Sequence, residues 1–109
     1  MDLKLGKQTK SEIEKNYQRV VSILNKSELD IDKAMSLSKA QANRITNENK
    51  SLNRAIAARE LSNEFLRNGL KEKSDVCLVI FEEFLKRACD LGLVDKKDYR
   101  DYQLEKLGL

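Results

Sequence analysis

The chain has 109 residues, of which 40% are hydrophobic and 36% are charged, and its formal charge at pH 7 is +3. It contains no histidine, proline or tryptophan and only four glycines. Without histidine there is no imidazole to act as a general acid or base, to activate a nucleophile or to bind a metal. With few glycines and no glycine cluster, the chain lacks the phosphate-cradling loops of Walker or Rossmann type. We therefore expect a single domain with no catalysis, no cofactor and no metal.

The N-terminal residues 1–10 are basic, and we expect them to form a flexible tail before one helical domain over 11–109. The first helix is predicted to start at Ser11, because Ser11 and Glu14 form an S-x-x-E capping box. The helix is expected to end near Lys26. Its apolar stripe has the spacing of one helix face and consists of Ile13, Tyr17, Val20 and Leu24.

A long polar segment over 31–68 follows, with Ser27 or Asp30 as its N-cap and Gly69 just after its end. Its apolar and small residues recur every seven positions, with Asn49 at a core-facing position of the heptad. Such a thin stripe is typical of a contact between two helices rather than of a broad core.

Two interpretations of this segment remain open. An unbroken helix would be about 57 Å long, which exceeds the size of a compact domain of this length. Either the helix breaks at 47–50, where asparagines favour a turn and Ser51 caps a new helix, or it pairs with a second copy. For the second case we predict a homodimer seam formed by Ile45, Asn49, Leu52 and Ile56.

The most apolar element is predicted to begin at Ser74, as its N-cap, and to end before Gly92. Residues 76–91 should form the centre of the core. They include Cys77 and Cys89, which lie about 18 Å apart along one helix and are interpreted as buried, unpaired thiols. A last short helix is predicted after Asp95, with Tyr99 and Tyr102 on one face.

Basic residues concentrate between 39 and 59, where asparagines lie among them and Glu48 is the one acid. Lysine and arginine neutralise phosphates, and asparagine reaches base edges. The alternative is that this is only the solvated face of a helix. As possible nucleic-acid contacts we name Lys39, Arg44, Lys50, Arg54 and Arg59.

Part of the chain resembles the helical middle of phage small terminase subunits. The segment 38–44, Ser-Lys-Ala-Gln-Ala-Asn-Arg, is similar to an Arg-Ala-Gln-Ala-Asp segment of that family. The turn 68–70 and the residues Asp75, Val76, Phe81 and Phe84 resemble its later turn and second apolar helix. The resemblance covers roughly residues 38–90 and implies a helical oligomer that acts in viral DNA packaging.

These observations predict an all-α protein of four or five helices, one of them long and either continuous or broken, with coiled-coil character. We expect a cytoplasmic, non-enzymatic interaction protein that self-associates and binds a partner protein, as an adaptor or modulator. The longest apolar run has six residues, Val76 to Phe81, so no membrane span is expected. A small-molecule substrate is not expected either. The alternative function is a DNA-binding accessory that uses the basic 39–59 segment.

Overall fold

The computed structural model describes residues 9–92, together with Lys97, Arg100, Asp101 and Leu104. Within 9–92 the secondary structure is entirely helical, which confirms the predicted fold class. The four helices are α1 (Lys10–Ser27), α2 (Ile31–Arg44), α3 (Glu48–Arg67) and α4 (Lys71–Asp90). The predicted cap Asp95, the tyrosines Tyr99 and Tyr102 and most of the predicted tail lie outside the described residues.

The first helix starts earlier than its sequence signal indicated. The Thr9 hydroxyl, not Ser11, caps α1 by accepting a hydrogen bond from the Glu12 amide at 3.2 Å. At the other end, Glu28 and Leu29 adopt positive φ angles of 54° and 63°. This left-handed pair turns the chain sharply, and the Asp30 carboxylate then caps α2, as one of the two predicted alternatives stated.

The 31–68 segment is broken into two helices, α2 and α3. The break lies at 45–47, slightly before the predicted turn, and the cap is Asn47 rather than Ser51. The Asn47 side chain accepts a hydrogen bond from the Lys50 amide at 3.1 Å, which satisfies one of the free donors of the first turn of α3. Ser51 lies inside α3, where its hydroxyl donates instead to the Phe84 carbonyl of α4 at 2.6 Å.

Helices α3 and α4 pack antiparallel and form the centre of the core. The hydroxyl of Ser62, near the other end of α3, donates to the Ser74 carbonyl at 2.9 Å. Because α4 begins at Lys71 with Leu70 as its N-cap, Ser74 lies within α4 and the predicted cap was wrong. Every residue of α3 from 51 to 58 is buried. Small side chains recur at helical spacing on the buried face of α3 and allow the backbones of α3 and α4 to approach closely. These residues are Ser51, Ala55, Ala58 and Ser62.

The remaining core confirms the predicted role of 76–91. The buried side chains of α4 include Ile80, Phe81, Phe84 and Leu85, and α1 adds Val20 and Ile23. Cys77 and Cys89 are both buried and do not form a disulfide with each other, as predicted. None of the described helices combines the length and apolar composition that crossing a bilayer requires.

Candidate anion-binding site

A cavity of about 390 Å³ opens where α2 ends and α3 begins, beside the middle of α1. The break in the 31–68 segment creates this cavity, because an unbroken helix would have no end there. Three segments meet at its walls: one residue of α1, the last turns of α2 with the 45–47 turn, and the first two turns of α3. The described residues that line it are Arg19, Gln41, Arg44, Ile45, Thr46, Asn47, Lys50 and Arg54.

Four of these eight residues are cationic, and none of the eight carries a carboxylate. Arg19, Arg44, Lys50 and Arg54 also form no ion pair with another described residue. Like charges held together without a counter-charge repel one another. The cavity therefore presents a positive potential that favours the approach of an anion.

A second cavity, of about 220 Å³, shows what a balanced surface looks like in the same protein. It contains Lys39, Lys86 and Arg87, but Glu83 and Asp90 line it as well. Acids and bases there offset each other. The first cavity differs from it in having no described acid, so its charge is a local feature and does not follow from the net charge of +3.

Arg54 is the most unusual residue of the first cavity. Its side chain is only 7% exposed, and its Nε atom has no hydrogen-bond partner among the described residues. Burial, followed by the nearby charge of Arg19, lowers the pKa of Arg54 to about 10. Buried guanidinium groups are normally paired. An unpaired buried donor is costly, and an acceptor brought by a ligand into the cavity would relieve this cost after a small movement of the Arg54 side chain.

The fold holds the cavity walls in place through α4. The Arg87 guanidinium of α4 donates from Nε to the Ile45 carbonyl at 3.0 Å, and the Ile45 side chain is buried. This contact fixes the turn from which Asn47 starts α3. Lys50 lies in the first turn of α3, where the helix dipole adds positive potential.

One residue that lines the cavity also has a hydrogen-bond acceptor without a described donor. The Oε1 atom of Gln41 is buried and makes no hydrogen bond to a described residue. A ligand that satisfies both Gln41 and Arg54 would carry an anionic acceptor and, beside it, an O–H or N–H donor.

The structure brings together three of the five predicted nucleic-acid contacts, namely Arg44, Lys50 and Arg54. Lys39 instead lines the mixed second cavity, and the half-buried Arg59 is not among the residues that line either one. Arg19 was not predicted. It belongs to α1, and no sequence pattern indicated that this helix packs beside the break between α2 and α3.

The residues of the predicted dimer seam differ in exposure within the single chain. Ile45, Leu52 and Ile56 are 9%, 7% and 2% exposed, whereas Asn49 is exposed. The three apolar side chains pack against their own chain, so the four residues do not form a common exposed face. Self-association through this seam stays a prediction.

Comparison with known protein families, with curated proteins and with solved structures returned no match. The resemblance to phage small terminase subunits therefore stays a prediction. Among the described residues, no group of histidine, cysteine, aspartate and glutamate side chains is arranged to hold a metal ion.

Proposed function

We propose that this protein is a non-enzymatic nucleic-acid-binding accessory protein, and that the cavity between α2 and α3 holds phosphate groups of the ligand. The observation that carries the proposal is the convergence of four cations, one of them buried with an unpartnered Nε donor, with no described carboxylate among them. Guanidinium groups bind phosphate through charge-assisted hydrogen bonds in a fixed fork geometry.

The lining of the cavity favours recognition of phosphate groups rather than of bases. None of its eight described residues is aromatic, so the site offers no platform on which unpaired bases stack. Contacts to phosphate position a protein on nucleic acid without reading its sequence. We therefore propose a duplex ligand bound with little sequence preference.

Salt dependence gives this proposal a quantitative form. Each phosphate that a protein neutralises on duplex DNA contributes about −0.9 to the slope of log K against log [salt]. With two to four cations engaged, we expect a slope of about −2 to −4. Binding should therefore be measured at low ionic strength and followed as salt is added.

The test is fluorescence anisotropy with a labelled duplex and two matched double variants. Arg44→Glu/Lys50→Glu reverses two charges of the cavity, one in the last turn of α2 and one in the first turn of α3. Arg67→Glu/Lys71→Glu reverses two exposed charges at the opposite end of the α3–α4 pair, again one in a last turn and one in a first turn.

Both variants change the net charge equally, so only position distinguishes them. We expect the cavity variant to lose about 100-fold or more in affinity at low salt and the control to lose about threefold or less, with helicity unchanged in both. Equal losses would show that only the overall charge matters and would contradict the proposal. Absence of duplex binding by the unmodified protein would also reject it.

A second candidate function is association with a protein partner, including a second copy of the chain. Leu29, Ile31 and Met35 are 38%, 47% and 37% exposed around the left-handed turn between α1 and α2. Exposed apolar side chains that cluster in this way are a feature of contact surfaces. Light scattering at micromolar concentration tests self-association: a mass above one chain that Ile31→Lys/Met35→Lys returns to one chain supports it, and a mass of one chain opposes it.

A further inference from the structure

We infer that the cavity between α2 and α3 is a receptor for a terminal phosphate, that is, for a phosphate monoester rather than a phosphodiester within a strand. This inference rests on the proposed function, and within it the ligand group is the 5′-phosphate at a nucleic-acid end. A free nucleoside monophosphate carries the same chemistry, and the experiment below separates the two sources.

The charge of the cavity favours a phosphate monoester over a diester. Four cations line the cavity without a described carboxylate. A phosphodiester within a strand carries one negative charge, whereas a monoester carries about −1.5 to −2 at pH 7 and offers three strong acceptor oxygens. The monoester is therefore the better counter-charge for a site in which Arg19 and Arg54 are close enough to repel each other.

The burial of the Arg54 Nε donor favours a phosphate at the end of a strand. The Nε donor of Arg54 is buried and has no described partner, and the residue as a whole is 93% covered, since 7% of it is exposed. A group that reaches this donor must enter the cavity. A phosphate at the end of a strand enters with the chain on one side only, while an internal phosphodiester has to lead the strand both in and out.

The size and polarity of the cavity also favour a monoester. Its volume of about 390 Å³ lies within the roughly 300–1,000 Å³ of small-molecule sites, so a terminal phosphate group fits inside. The unpartnered Oε1 atom of Gln41 can accept a hydrogen bond from the P–OH group that a singly ionised monoester retains and an internal diester lacks.

The test compares two duplexes of identical sequence, one with 5′-phosphate ends and one with 5′-hydroxyl ends. The full chain is expected to bind the phosphorylated duplex about tenfold more tightly or better. Arg54→Met should abolish this preference, and Arg67→Met, which removes an exposed arginine far from the cavity, should keep it. If Arg54→Met does not fold, Arg19→Gln, at an exposed position, takes its place and should reduce the preference.

A second arm uses thermal melting of the same protein with adenosine 5′-monophosphate and with adenosine 3′,5′-cyclic monophosphate at equal ionic strength. The first is a monoester and the second is a diester. We expect the monoester alone to raise the melting temperature, and Arg54→Met to remove the effect.

The outcomes separate the two proposals. Equal affinity for the two duplexes, with no monoester effect on melting, overturns the terminal-phosphate inference and leaves nucleic-acid binding standing. No duplex binding, combined with Arg54-dependent stabilisation by the monoester, overturns the proposed function and supports the cavity as a site for a free phosphate monoester. Failure of both arms overturns both.

Discussion

The guanidinium carbon of Arg54 lies 5.2 Å from the centroid of the Phe84 ring. The ring face attracts the cation but accepts no conventional hydrogen bond. Phe84 is fully buried, and its own carbonyl receives the Ser51 hydroxyl one turn earlier on α3. Phe84 therefore positions the Arg54 cation beside the cavity and leaves the Nε donor unsatisfied, which stabilises the free protein less than a paired contact would.

We predict that Arg54→Met raises the stability of the free protein. Burial lowers the pKa of Arg54 to about 10, which means that the folded state penalises the charged form, and this penalty is fully present below pH 10. Methionine removes the charge and retains an apolar contact with Phe84. After subtraction of the lost cation–π attraction, the free energy of unfolding should rise by about 1 kcal/mol, measured by urea denaturation at pH 7.

The exposed Arg67→Met variant is the control and should stay within about 0.5 kcal/mol of the unmodified protein. A loss of stability in Arg54→Met that is absent in the control would show that the guanidinium makes a net contribution to folding. Its role would then be structural rather than ligand-binding.

The close approach of α3 and α4 gives a second prediction. Ser51 is fully buried between the helices, so Ser51→Leu should lower the free energy of unfolding by about 2–3 kcal/mol through overpacking. Ser51→Ala loses only the hydrogen bond to Phe84 and should cost about 1 kcal/mol. Ser36→Leu, at an exposed position of α2, is the matched control; if it costs as much as Ser51→Leu, close packing is not the reason.

The sequence predicted the helices better than the site. Periodicity located α1 and α4 to within a few residues, because an apolar stripe such as the one through Ile80 and Phe84 requires a core, whereas the predicted caps Ser11 and Ser74 were wrong. The thin stripe of α3 suggested a partner helix. The buried face of α3 consists largely of alanine and serine, and hydrophobicity alone does not distinguish such a face from a solvated one. The sequence feature that indicated this buried face was the helical spacing of small residues such as Ala55 and Ala58.

The site depended on contacts between helices that are distant in sequence. Arg44, Lys50 and Arg54 are close along the chain, so their clustering was visible as a basic segment. The addition of Arg19, the burial of Arg54 and the separation of Lys39 into another cavity all follow from how α1 and α4 pack on α3. No local pattern encodes those relationships.

The buried thiol of Cys77 gives a pH-dependent prediction. Burial raises the pKa of Cys77 from 9.0 to about 11, so the thiol ionises in the unfolded chain before it ionises in the folded one. Stability from this residue is complete below pH 9 and is lost as the pH rises toward 11. At pH 10 the unmodified protein should have lost about 1 kcal/mol more than Cys77→Ala, relative to pH 7.5.

Urea denaturation of both proteins at the two pH values measures this difference. Because all other titrating groups are common to the pair, their contributions cancel. Parallel loss of stability in the two proteins would show that the Cys77 thiolate is tolerated in the folded state and would contradict the prediction.

Arg87 gives a prediction about positioning. The hydrogen bond from Arg87 to the Ile45 carbonyl fixes the turn between α2 and α3, although Arg87 does not line the cavity between these helices. Arg87→Gln should weaken duplex binding by about three- to tenfold and increase amide hydrogen exchange in 45–50. Lys86→Gln, at the neighbouring exposed position, should change neither; equal effects of the two variants would point to loss of charge alone.

Phosphate binding by Arg54 is tested most directly by the nuclear magnetic resonance signal of its Nε–H group during titration with a short 5′-phosphorylated duplex. This signal, identified by its loss in Arg54→Met, is expected to shift downfield and to saturate with the binding curve as the donor gains a phosphate oxygen. The Nε–H signal of Arg67 should not move. A saturated complex in which the Arg54 signal is unchanged would show that this donor does not bind the phosphate.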